Sequence, residues 1–193
     1  MKKIILSKII LGAALALFTL NSCKNEAKQE DPVEVAEDQN EANIQNEKVE
    51  DDADYLVEAA ALNLKEIEIG KLAQEKGVSQ DVKNFGKMLV TDHEKALEET
   101  KALADKKSIT LPTSISEDDL DKHNKLKEES AKDFDKKFAD MMVDGHQDAI
   151  DKMEKISEKA TDPDLKSWAA NQISPLTTHL NEAKRIKEIN KNK

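Results

Sequence analysis

A single cysteine, Cys23, stands in a chain of 193 residues. That excludes an internal disulfide and any multi-cysteine zinc or iron–sulfur site. Aromatic residues make up only 3% and the net charge is -10. Such a chain repels phosphate and offers few stacking surfaces, so nucleic acid is excluded as a partner. The five glycines do not form a phosphate-cradling loop. The serines fall at caps and helix ends without a His–Asp relay, so no catalytic residue is assigned. No segment alternates with period two, which removes strands. What is abundant is Lys, Glu, Ala and Leu, with 36% charged and 38% hydrophobic residues. This composition predicts an all-α chain, and the length suits one domain.

The N-terminus reads as an address. Lys2, Lys3 and Lys8 precede an uncharged apolar run from Ile9 to Leu20. The run is too short to span a bilayer, so residues 1–22 read as a signal peptide. It ends in Leu20-Asn21-Ser22-Cys23, which resembles the lipobox of bacterial lipoproteins. The resemblance implies that Cys23 is acylated and becomes the first mature residue. Several acyl chains hold a protein on a membrane stably, and lipid is therefore the expected membrane partner. The expected location is the outer membrane, on its periplasmic face or at the cell surface.

Residues 24–51 hold ten acids, three lysines and no aromatic residue. With so little apolar surface to bury, residues 23–51 are expected to form a disordered acidic tether carrying the lipidated cysteine. From Asp52 to about residue 190 the pattern is helical. Tyr55, Ala59, Leu62, Glu66, Ile69 and Ala73 form one stripe, and Gly77 follows as a left-handed helix-ending glycine. Ser79 caps a second helix with Val82, Gly86, Leu89, His93 and Ala96 inward. Ser116 opens a short helix to about Glu129, and Ser130 opens a long one with Phe134, Phe138, Met142, His146, Ala149 and Met153 inward. Thr161-Asp162-Pro163-Asp164 starts the last, through Leu165, Trp168, Leu176 and His179, with Pro175 inside it. Four long helices predict an antiparallel, up-down-up-down four-helix bundle over 52–190.

Phe85-x-x-Met88-Leu89-Val90-x-x-His93 recurs as Phe138-x-x-Met141-Met142-Val143-x-x-His146. The repeat and His179 put one histidine on the apolar stripe of three helices at mid-height. Glu66 lies at the same depth on the remaining helix. Three readings follow. His93, His146, His179 and Glu66 hold one transition metal (Zn, Cu, Ni or Fe), with Asp92 and Asp144 as outer partners. Alternatively they form a hydrogen-bonded polar layer that fixes register, or the histidines stay partly exposed and unconnected. A di-iron site of the ferritin kind needs Glu-x-x-His on two helices. Here Val90, Val143 and Leu176 precede the histidines by three, so that signature is absent.

The Met-Val/Leu-x-x-Asp-His pattern, the Phe134-Asp135 pair and Pro175-Leu176-x-x-His179-Leu180 resemble a bacterial family of exported, ferritin-like proteins. That family is labelled a domain of unknown function and described as predicted outer-membrane proteins. The resemblance implies a ferritin-like fold, an envelope location, and His93, His146, His179 and Asp92 as the site, with no settled activity. The functional expectation is a lipid-anchored, non-enzymatic envelope protein that stores, buffers or senses a metal. The alternatives are a metal-dependent oxidoreductase and an interaction module for another envelope protein.

Overall fold

The computed structural model describes residues 30–191, so the expected signal segment and Cys23 lie outside the described residues. Six helices follow in order: α1 (Pro32–Asn43), α2 (Glu47–Lys76), α3 (Gln80–Asp105), α4 (Glu117–Glu128), α5 (Ala131–Lys159) and α6 (Pro163–Lys191). Among the described residues there is no strand, as the missing period-two pattern requires. The three serine caps sit at their expected positions. Ser79, Ser116 and Ser130 accept the N–H groups of Val82, Asp119 and Asp133, donors that a first turn otherwise leaves unpaired. Asp162 accepts from the Leu165 N–H at 2.8 Å and so caps α6 behind Pro163. Gly77 departs from expectation: its φ is -51°, not left-handed. A Cβ there would lie 2.5 Å from the Ala73 carbonyl and 2.7 Å from Val82 Cγ1. Glycine is needed for closeness, not for an unusual dihedral.

The long helices do not run up-down-up-down. Asp135 near the start of α5 accepts from the Val78 and Ser79 N–H groups in the α2–α3 turn, each at 2.8 Å. Asp52 near the start of α2 accepts from Thr161 N–H and Oγ1, both at 2.7 Å, and from Asp162 N–H at 2.9 Å in the α5–α6 turn. Lys107, just past α3, pairs with Asp162 in that same turn. These contacts put the end of α3 and the start of α5 at opposite ends, so the order is up-down-down-up. All neighbours are antiparallel: α3 and α6 meet as Asp81–Arg185 and Asp92–His179, and α2 and α5 as Glu58–Lys152. The physical reason is the connection. The twelve residues of α4 rise about 18 Å, and with the extended run before it the chain returns the full height of the helices.

The stretch expected to be a disordered tether is helical from Pro32. Asp31 caps α1 by accepting from Val33 N–H at 2.8 Å. Ala36 is 1% exposed against the rest of the fold, and Asn40 exchanges two hydrogen bonds with the Thr110 backbone, Nδ2 to O at 2.9 Å and N to Oδ1 at 2.8 Å. α1 lies along α2, and α2 itself begins at Glu47. These long-range pairings order a segment whose own composition does not.

Two large apolar clusters fill the ends of the interior, beside a small third one of Ala60, Ile67 and Leu97. One end holds Phe85, Phe134, Phe138, Met142 and Ile186; the other holds Leu56, Met153, Ile156, Leu165 and Trp168. The α2 and α3 backbones touch at Gly70 and Gly86: a Cβ on Gly86 would sit 2.6 Å from the Gly70 carbonyl. This close approach brings the mid-heights of α2 and α3 together, where Asn63, Glu66 and His93 lie. No described helix is long and apolar enough to cross a membrane.

Candidate metal centre

Glu66 on α2, His93 on α3, His146 on α5 and His179 on α6 are all 3% exposed or less. Each comes from a different long helix, so the mid-height stripes converge. One ring nitrogen of each histidine lies within 4.8 Å of those of the other two. The ring centroids are 5.2 to 5.9 Å apart. Phe85 closes one side, its centroid 6.2 Å from both His146 and His179.

The outer hydrogen bonds fix which nitrogens face inward. Asn63 Nδ2 donates to the Ala59 carbonyl at 2.8 Å, which turns Asn63 Oδ1 to His93. His93 Nδ1 lies 2.8 Å from that oxygen and must donate to it. His146 Nδ1 donates to the Met142 carbonyl at 2.9 Å. His179 Nε2 donates to Asp92 Oδ2 at 2.9 Å. Each ring has thus spent its one N–H outward. The remaining nitrogens, His93 Nε2, His146 Nε2 and His179 Nδ1, are buried without a hydrogen-bond partner, and so is Glu66 Oε2.

This geometry bears on the polar-layer reading. Four unpaired groups that are all acceptors cannot hydrogen-bond to one another, so they do not make a self-satisfied polar layer. Each buried acceptor left alone costs about 1–3 kcal/mol, and the four together rival the whole stability of a typical domain, about 5–15 kcal/mol. A shared proton is a poor remedy. Burial pushes His93 down to about 3, against the pull of Glu66 in the other direction. Burial also lowers His146. Glu66 is raised by burial, but Lys65, His146 and His93 outweigh that and hold its carboxyl below the usual range. Lys65 Nζ lies 3.4 Å from Glu66 Oε1. A cation held among the three ring nitrogens satisfies them together, while Glu66, expected as a fourth ligand, lies outside that group of mutually close ligand atoms. Imidazole nitrogen with carboxylate oxygen suits Zn, Fe, Ni or Cu, and outward N–H bonds to carbonyl or carboxylate are the usual outer support of metal-bound histidine.

The expected outer partners fare unequally. Asp92 does hold a histidine, but across the α3–α6 interface on His179 rather than its neighbour His93. Asp144 is exposed, and His146 takes its hydrogen bond from the Met142 carbonyl instead, one helical turn back. Asn63 was not anticipated. The available signal was its spacing: three residues before Glu66, it shares that helix face. His123 sits on α4 outside the cluster.

No curated protein and no solved structure matches the chain. A family profile matches residues 36–186, from α1 to near the end of α6. The chain therefore belongs to the family described as Domain of unknown function (DUF4142).

Proposed function

We propose that this protein binds one transition-metal ion through His93 Nε2, His146 Nε2 and His179 Nδ1, with the Glu66 carboxylate nearby to offset its charge. The carrying observation is the set of three buried, partnerless ring nitrogens within reach of one another while each ring's other nitrogen is hydrogen-bonded outward. We read the four long helices as a ferritin-like, four-helix bundle. The chain order up-down-down-up with a long crossover supports that reading. The bundle is attached to the outer membrane by lipid on Cys23, and it handles its metal by storage, buffering or sensing. The lipobox-like Leu20-Asn21-Ser22-Cys23 supports the attachment. When bound, the ion supplies Lewis acidity, and a redox couple if it is iron or copper. Asn63, Met142 and Asp92 orient the rings, and Phe85 excludes water from one side.

Equilibrium dialysis with elemental analysis tests this. One metal per chain is expected at neutral pH, and none in His146→Ala while the helical circular dichroism persists. An intact fold that retains no metal refutes the reading. A metal-dependent oxidoreductase is the second reading. One observation favours it: a cleft between α3 and α6 reaches His93 and His179.

A further inference from the structure

The two halves of the interior are filled unequally. On one side of the histidines, Phe85, Phe134 and Phe138 pack ring against ring, with centroid distances of 5.8 and 6.2 Å. On the other side, the groove between α3 and α6 opens into a cleft of about 780 Å³. That size belongs to small-molecule sites. Its inner end is His93 and His179, and its walls include Trp168, Leu103 and Met153. Trp168, Met153 and Leu103 are each 8% exposed or less, so this apolar part of the wall is firmly packed.

Polar side chains line most of the rest, among them Asn63, Asp92, Lys95, Glu99 and Gln172. Glu99 Oε2 accepts from Trp168 Nε1 and Gln172 Nε2, both at 3.1 Å. The carboxylate is therefore pinned in the wall. Its other oxygen has only the well-exposed Lys95 at 3.9 Å. Asp92, which also lines the cleft, places a second carboxylate at the histidine end. Pro175 lacks the N–H that would bond the Asn171 carbonyl, and both residues line the cleft. Lys106 is at the mouth, 3.7 Å from Asp164, so its charge is offset there. The cleft thus sets two part-exposed carboxylates, Asp92 and Glu99, beside Trp168, with the Lys95 and Lys106 side chains mostly out in solvent. That arrangement favours a donor-bearing cation with a flat apolar body. Glu99 stands six residues from His93 on α3, about 9 Å along the helix, roughly the reach of one ring with a short amine arm.

We propose that this cleft binds a small aromatic amine, its ammonium on Glu99, its ring beside Trp168, and its far end facing the histidine centre. The cleft stands on its own geometry, and only the facing of the far end toward a metal rests on the function proposed above.

Trp168 is the one tryptophan in the chain, so its fluorescence reports the cleft directly. The experiment titrates tyramine into the full-length protein. Emission is excited where tyramine does not absorb, once after chelation and once after zinc loading, with zinc content measured on the same samples. A saturable change in Trp168 emission is expected in both. Glu99→Gln is expected to weaken binding at least about tenfold, since it removes a charge-assisted hydrogen bond. 4-Hydroxyphenylacetate, which carries an anion in place of the ammonium, is expected to bind at least about tenfold more weakly than tyramine. No saturable change, equal binding of the anion, or unchanged affinity in a folded Glu99→Gln overturns the proposal. A protein that binds tyramine but retains no zinc refutes the metal centre and leaves the cleft. A protein that retains zinc but ignores tyramine does the reverse.

Discussion

Acid should weaken this protein through its buried histidines. The perturbation is a drop from pH 7 to pH 5 after chelation, in the wild type and in His93→Gln. Burial lowers His93 from 6.5 to about 3 in the folded state. The unfolded chain takes up a proton below 6.5 while the folded one does not. The contribution of the neutral ring is therefore complete above pH 6.5 and is lost progressively between 6.5 and about 3. Each pH unit below 6.5 costs about 1.4 kcal/mol, so pH 5 costs about 2 kcal/mol from His93. For a chain of this size that lowers Tm by about 4–8 °C. His146 shifts in the same direction, again through burial, and adds to the slope. Glu66 is held below its usual 4.5, so its contribution is lost only at lower pH and does not confuse this window. Thermal melts across pH 5–7 make the measurement. The His93→Gln curve should be flatter than the wild type by the His93 share. Parallel curves would show that His93 is not a buried neutral ring, and the tautomer argument for the centre would fail with it.

Further substitutions test the packing. Gly86→Ala puts a Cβ 2.6 Å from the Gly70 carbonyl and should cost about 1–3 kcal/mol. Gly145→Ala meets only Glu66 Oε1 at 3.7 Å and should gain up to about 1 kcal/mol of helix propensity; denaturant melts of the pair decide. Asp52→Ala and Asp135→Ala each strand turn N–H groups now bonded to a carboxylate, and each should lower stability by about 2–3 kcal/mol in the same melts. Asn40→Ala removes both bonds to Thr110, so hydrogen exchange should quicken across α1 and leave α3, α5 and α6 unchanged.

The helices and the histidine layer were legible because both are written locally. Ser79, Ser116 and Ser130 precede their helices by one residue, and His93, His146 and His179 keep step with the 3.6-residue period of their neighbours. What was hidden depends on distant partners. α1 has too little apolar surface to announce itself, and it is fixed by Asn40 bonding to Thr110, seventy residues away. The chain order turns on whether α4 folds back or crosses over, and the contacts of Asp52 and Asp135 that settle it join opposite ends of the sequence. The proximity of Asp92 to His93 in sequence suggested a pairing that helix geometry forbids, because adjacent residues point about 100° apart. Asp92 reaches His179 on the neighbouring helix instead.

The central claim is a ligand set, and X-ray absorption at the zinc edge reads it most directly. Zinc-loaded protein should show three imidazole nitrogens at about 2.0–2.1 Å, with one imidazole fewer in His146→Ala. Fewer than three imidazoles in the wild type, or a sulfur scatterer from methionine, would contradict the centre built from His93, His146 and His179.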